Sequence, residues 1–350
     1  MIDGPNDEVQ MTNDETLLKC VRHFRIAFTL LVITSSSAFG STKGDRSTQL
    51  SGYKAVRVHY GPLNKMIMSV RINGQPANLL VDTGSNEVIL DAAAAESFGV
   101  QPSQPGSNEI FQDAAAAESF GGQPSQRSLR YIRRSRINGQ LLPVGFAQSL
   151  TAGNMSFGSV LVTLRNSSRS DDGNAHVDGV LGLDVLTRYK AVINCRTKVI
   201  FFKVDPTRQM HLSGVAASEK FTRVSIRQEE NGALTAPCSI HGQPARLLID
   251  TGSFVTIFTE PVLKSLGVGL QPTHISARFP TGTSRKVSAA QITDLKIGDF
   301  KVRPGKFGVT PSPNFAPRQG SSRMFGILGM DTLYNCHAII DLDGMNLFLK

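Results

Sequence analysis

The feature that most narrows the fold of this chain is an internal repeat of domain size. Residues Ile72 to Val100 read INGQPANLLVDTGSNEVILDAAAAESFGV and residues Ile240 to Val268 read IHGQPARLLIDTGSFVTIFTEPVLKSLGV, aligning without a gap at an offset of 168. Further on, Gly179 to Lys203 (GVLGLDVLTRYKAVINCRTKVIFFK) aligns with Gly326 to Lys350 (GILGMDTLYNCHAIIDLDGMNLFLK) at an offset of 147, so the first half is 21 residues longer between the two landmarks. A tandem duplication supplies most of that excess: DAAAAESFG at Asp91 to Gly99 recurs at Asp113 to Gly121, a period of 22. The second copy reads as a surface insertion at about residues 106–127, because a duplicated amphipathic turn has no reserved place in a packed core.

A chain of 350 residues accommodates two domains, each large enough for its own interior. The repeat places them at residues 53–203 and 221–350, with polar linkers at 41–52 and 204–220. Residues 1–40 read as an N-terminal extension and secretory signal. Lys19, Arg22 and Arg25 precede the apolar run Ile26 to Ile33, which leads into small residues near Ser36 and Ala38. That run is too short to span a bilayer, which takes roughly 20 apolar residues, so export without a stable membrane anchor is expected. The segment 41–52 is either a short pro-segment or a tail. Loss of residues 1–38 removes five acids and three bases, so the net charge rises from +9 to about +11 by formal counting.

Within each half the pattern is strand-rich. Ala77 to Val81 and Ala245 to Ile249 are short apolar runs that each end at Asp-Thr-Gly, where the glycine marks a tight turn. Asp91 has the character of a helix N-cap with Gly99 as the stop, and in the other half Glu260-Pro261 and Gly267 play those parts. Strands are expected at Val160 to Leu164, Ala191 to Ile193 and Val199 to Phe202. The fold class is therefore mostly β with short helices.

Each half resembles the retropepsin-like and pepsin-like aspartic proteases. The resemblance rests on the apolar strand into Asp82-Thr83-Gly84-Ser85 or Asp250-Thr251-Gly252-Ser253, a helix ending in Phe98-Gly99-Val100 or Leu266-Gly267-Val268, and the segments Val180-Leu181-Gly182 and Ile327-Leu328-Gly329. It implies two tandem β-barrel lobes related by a pseudo-twofold axis, with the Asp-Thr-Gly turns meeting on it, either within one chain or between two chains of a homodimer. A lone Asp-Thr-Gly is a common turn; two in matched contexts are not.

Two carboxylates about 3 Å apart cannot both ionise easily and share a proton, so one serves as base and the other as acid in hydrolysing a peptide bond. Asp82 and Asp250 are the candidate catalytic pair. Gly84 and Gly252 let backbone approach and donate N–H groups, while the resemblance implies that Thr83 and Thr251 bond across the axis. Ser85 and Ser253 are expected either to donate to the outer carboxylate oxygens, lowering the pKa and favouring an acidic working range, or to be plain turn residues. Two hairpins qualify as substrate-binding flaps or as ordinary surface turns: one at Asn138 and Gly139, the other at Thr281 and Gly282. Neither carries the tyrosine of pepsin-like flaps. Asp184 and Asp331 read as helix N-caps.

The remaining chemistry is sparse. No metal or organic cofactor is expected, since there is no H-E-x-x-H, C-x-x-C, G-x-S-x-G or phosphate-cradling loop. Beyond Cys20 in the presumed signal, Cys195, Cys238 and Cys336 are widely spaced and allow at most one disulfide; they read as small buried residues. Arg127, Arg130, Arg133, Arg134 and Arg136 form a solvated basic strand, a contact for acidic substrates or a processing site. No nucleic-acid module accompanies the charge. The expected partner is a polypeptide substrate, and a non-catalytic peptide-binding scaffold is the alternative.

Overall fold

Both Asp-Thr-Gly turns close strands whose apolar residues alternate into a core. In the computed structural model, Gln75–Val81 buries Ala77, Leu79 and Val81, and Gln243–Ile249 buries Ala245, Leu247 and Ile249. Residues 50–61, 64–103, 134–137, 140–166, 176–278, 284–311 and 323–350 are described. Each of these strands forms a hairpin with the one before it, Met66–Ile72 in the first half and Leu234–Ile240 in the second. The two-residue turns, Asn73-Gly74 and His241-Gly242, have both residues at positive φ, the geometry whose twist matches the flanking strands.

A second crossing then locks each turn from outside. Gly179–Leu181 runs parallel to the first Asp-Thr-Gly strand and antiparallel to Ile89–Asp91. Met324–Leu328 does the same between Gln243–Ile249 and Ile257–Thr259. The backbones pass so closely that a Cβ on Gly179 would lie 2.2 Å from the Ile89 carbonyl oxygen, and one on Gly326 2.0 Å from that of Ile257. No side chain fits there, which is the physical reason for glycine in both copies.

Among the described residues, the first half forms an eight-stranded sheet that closes on itself where Met66–Ile72 also pairs with Gln140–Ala152. The second half builds a sheet of ten strands. A third sheet is shared, in the order Tyr53–Arg57, Val199–Lys203, Val192–Asn194, Ile339–Asp341, Asn346–Leu349, Thr222–Ser225. Its centre pairs Val192–Asn194 with Ile339–Asp341 antiparallel, setting Ile193 opposite Ile340. The two lobes and their pseudo-twofold relation follow from this arrangement. Across the shared sheet, Lys203 of the first half, almost fully buried, pairs with Asp343 of the second at 2.7 Å, and Lys190 joins at 2.8 Å. Burial alone would raise the Asp343 carboxyl, but the two ammonium groups outweigh it and hold the group below the ordinary carboxylate range.

Several local expectations meet the structure with changes. Asp91 does cap the helix Ala92–Ser97, accepting from the Ala93 and Ala94 N–H groups, and Gly99 follows at positive φ. In the second half the N-cap is Thr259, one residue before Glu260-Pro261. The segment read as a plain linker at 204–220 contains the helix Leu212–Ser218. Cys195, Cys238 and Cys336 are buried free thiols. The duplicated insertion, the signal region and Arg127, Arg130 and Arg133 lie outside the described residues; Arg134 and Arg136 fall in the strand Arg134–Ile137.

Substituting Gly326→Ala forces a methyl group into a backbone oxygen and is expected to cost on the order of 3 kcal/mol or more. The thermal midpoint of the variant is then well below that of the wild type; an unchanged midpoint contradicts the close crossing.

Candidate active site

The two Asp-Thr-Gly turns meet, and the threonines bind them. Thr83 Oγ1 donates to the Ile249 carbonyl at 2.8 Å and accepts from the Thr251 N–H at 3.1 Å. Thr251 Oγ1 donates to the Val81 carbonyl at 2.8 Å and accepts from the Thr83 N–H at 3.1 Å. Both threonines are fully buried. Four backbone groups that would otherwise be stranded away from water are satisfied by two hydroxyls, each supplied by the opposite half.

With the turns held this way, Asp82 and Asp250 face each other's glycine. A Cβ on Gly84 would lie 2.5 Å from Asp250 Cγ, and one on Gly252 2.4 Å from Asp82 Cγ. The Gly84 N–H donates to Asp82 Oδ1 at 2.8 Å; Asp250 Oδ1 receives the Gly252 and Ser253 N–H groups at 2.8 and 2.9 Å. Each aspartate keeps an edge open to solvent, yet protein crowds the rest. Burial pushes the Asp82 carboxyl above its ordinary value, although bonds from the Asp250 side chain and from the Gly84, Gly252 and Ser85 N–H groups pull against it. For Asp250, burial is reinforced by the charge and hydrogen bond of Asp82, which lift it well above the ordinary value. Like charges confined together resist double ionisation, so the pair retains a proton that neither member owns alone.

The serine hydroxyls do not contribute to this. Ser85 Oγ donates to the Glu87 carbonyl and Ser253 Oγ to the Val255 carbonyl, both at 2.9 Å. They brace their own turns, as Ser does wherever a carbonyl two residues on is within reach. Donation from them to the carboxylates is therefore corrected, and so is the lowering of pKa argued from it.

Asp184 and Asp331 are not N-caps. Gly182 and Gly329 occupy those positions, with no side-chain cap, and the aspartates sit in the first turn of the helices Leu183–Arg188 and Met330–Asn335. They reach back to the active-site turns, where Asp184 accepts from the Val88 N–H at 3.2 Å and Asp331 from the Thr256 N–H at 2.8 Å. The flap residues Asn138, Gly139, Thr281 and Gly282 lie outside the described residues. The strands beside them do pair as hairpins, Ile137 with Gln140 and Arg278 with Ser284. Sequence reasoning missed Asn86, whose Nδ2 donates to the Asn231 carbonyl of the other half at 2.8 Å. Its only signal was a polar side chain directly after Asp-Thr-Gly-Ser.

Two lobes of this topology, each presenting an Asp-Thr-Gly turn to a shared axis, define the pepsin and retropepsin class of acid-protease folds. The family model described as aspartyl protease matches residues 68–185 and 236–332, more than half of the chain. The chain belongs to the aspartyl protease family. Solved structures with which it aligns include the aspartic proteinase from Irpex lacteus, at 14% identity and TM-score 0.44, covering 85% of this chain and 96% of that one. Basic 7S globulin from soybean aligns at 11% identity and TM-score 0.44, covering 85% and 95%. No curated protein sequence matches the chain.

Replacing Thr83 by valine keeps the shape and strands the Ile249 carbonyl and the Thr251 N–H. The expected cost is about 2–5 kcal/mol, read as a lower urea midpoint, whereas Thr83→Ser retains most of the stability. Equal midpoints for the two variants would refute the role given to the hydroxyl.

Proposed function

We propose that the chain is an exported aspartic endopeptidase in which Asp82 and Asp250 of one chain activate water between them. The observation that carries this reading is the mutual approach of the two carboxylates to the opposite glycines, with both carboxyls raised by burial and Asp250 raised further by the charge of Asp82. In such a pair the ionised carboxylate accepts a proton from the attacking water while the protonated one donates a hydrogen bond to the scissile carbonyl oxygen. The tetrahedral intermediate then collapses as a proton passes to the leaving nitrogen. Gly84, Gly252, Thr83, Thr251 and the two serines hold the turns rigid, so that little reorganisation accompanies the charge shift.

The sign of the pH dependence follows from the shared proton. The competent state holds one proton on the pair, so activity falls as rising pH removes it and falls again in strong acid when the second is added. The substrate is an extended polypeptide, laid between the dyad and the two hairpins as an added strand. Export rests on the basic and apolar pattern within residues 1–40. A monomer with two lobes is favoured over a homodimer by the reciprocal threonine bonds and the shared sheet, which one chain completes by itself.

The test is cleavage of a denatured protein mixture by purified chain from about pH 3 to 7, beside Asp82→Asn and Asp250→Asn. Both substitutions are expected to abolish cleavage, each lowering the rate at least about a thousandfold. Activity surviving in either variant sinks the shared pair, and a silent wild type across the range leaves the peptide-binding scaffold.

A further inference from the structure

The repeat makes two corners of the shared sheet equivalent in backbone, yet opposite in charge. At the offset of 147, Lys190 corresponds to His337, Arg196 to Asp343 and Lys203 to Lys350. Lys190 and His337 both stand at positive φ, 43° and 48°. The Lys203 N–H donates to the Tyr189 carbonyl at 2.8 Å, and the Lys350 N–H to the Cys336 carbonyl at 2.9 Å. Between the halves, the Leu342 N–H donates to the Ala191 carbonyl at 3.0 Å, and its counterpart, the Cys195 N–H, to the Ala338 carbonyl at 2.9 Å. The turns that carry Asp343 and Arg196 also match: Asp341 Oδ1 accepts the Asp343 and Gly344 N–H groups, and Asn194 Oδ1 those of Arg196 and Thr197.

One corner is a filled ion site. Asp343 reaches from the second half to Lys190 and Lys203 of the first, at 2.8 and 2.7 Å, so that one carboxylate bridges two ammonium groups. In the twin corner the same geometry brings Arg196 of the first half towards His337 and Lys350 of the second. A guanidinium stands where the carboxylate would be. The convergence is felt at His337, whose charged form is disfavoured first by burial and then by the charges of Arg196, Lys350 and Arg303. Arg196 lies over the Tyr334 ring, 4.2 Å from its centroid. Lys203 is buried on its carboxylate, whereas Lys350 is exposed and turns to Glu219 at 3.8 Å and to the Phe221 ring at 5.5 Å.

We propose that the corner formed by Arg196, His337, Lys350 and Arg303 binds a small phosphate-type oxyanion, which takes the place that the Asp343 carboxylate holds in the twin corner. Two cations surround a single carboxylate charge there; the larger cationic set suits an ion carrying up to two charges. The planar guanidinium, steadied by its ring contact, offers parallel N–H donors to two oxygens of such an ion. Half-buried Arg196 and His337 form the inner wall, and exposed Lys350 and Arg303 the rim. Since Arg196 belongs to the first half and the other three to the second, the bound ion fastens the halves together as the Asp343 bridge does. The site requires nothing of Asp82 and Asp250.

Thermal unfolding of the purified chain at neutral pH, with phosphate exchanged for chloride at constant ionic strength, tests this. At about tenfold the dissociation constant, an ion that binds only the folded chain raises the midpoint by about 2 to 4 °C, and the rise is expected to saturate. Arg196→Gln is expected to lose most of that response. Arg196→Asp supplies the carboxylate of the twin corner, so its midpoint in chloride is expected to exceed that of the wild type, with phosphate adding nothing further. Lys190→Gln, in the corner already filled, lowers the midpoint and keeps the phosphate response. The His337 ring, followed by NMR, gives a readout separate from unfolding: phosphate moves its titration to higher pH in the wild type and not in Arg196→Gln. No rise above chloride, a rise that never saturates, or an equal response in Arg196→Gln overturns the proposal.

Discussion

Everything at the centre of this molecule depends on two hydroxyls doing reciprocal duty. Thr83 and Thr251 each donate to a carbonyl and accept an N–H of the opposite half, with no water able to substitute at fully buried positions. A buried peptide group without a partner costs about 1–3 kcal/mol, so the turns cannot separate singly. That rigidity is what allows two carboxylates to be held against their mutual repulsion. Left to relax, they would move apart or draw in water, and the shared proton would be lost.

The cost of confining the aspartates is offset elsewhere in the fold. Glycine at the two turns and at the two inner crossings lets backbone approach without side chains between. The buried Lys203 pairs with Asp343 across the shared sheet, a contact that registers the halves against one another. The halves nonetheless differ: Asn86 reaches the Asn231 carbonyl of the opposite lobe, whereas its repeat partner Phe254 is exposed. The repeat preserves a scaffold on which the two turns have been tuned separately.

Much of this was legible in the sequence where the cause is local. The gapless repeat around Asp82 and Asp250, the cap at Asp91 and the glycine stops are short-range signals, and the structure meets them. Where the cause is distant, the sequence was silent. Asp184 looked like a cap because a carboxylate in a first helical turn usually is one; its partner Val88 lies 96 residues upstream. The serines were open to two roles in the sequence, bonding to the carboxylates or bracing their turns, and a carbonyl two residues away takes each hydroxyl. The helix Leu212–Ser218 hides in a polar stretch whose apolar face is too short to show a period. The shared sheet joins Val192–Asn194 to Ile339–Asp341, a pairing no local pattern encodes.

That shared sheet carries one more implication. Its central pairing sets Ile193 against Ile340, the very residues that the second repeat makes equivalent. An antiparallel pair centred on equivalent residues is what two copies of a single half would form with each other, strand against identical strand, with no change of register. The fused chain thus preserves, in its middle, the seam of a self-complementary dimer. Covalent linkage added freedom rather than contacts: once the halves no longer had to be identical, each was able to change its own turn without forcing the same change on its twin.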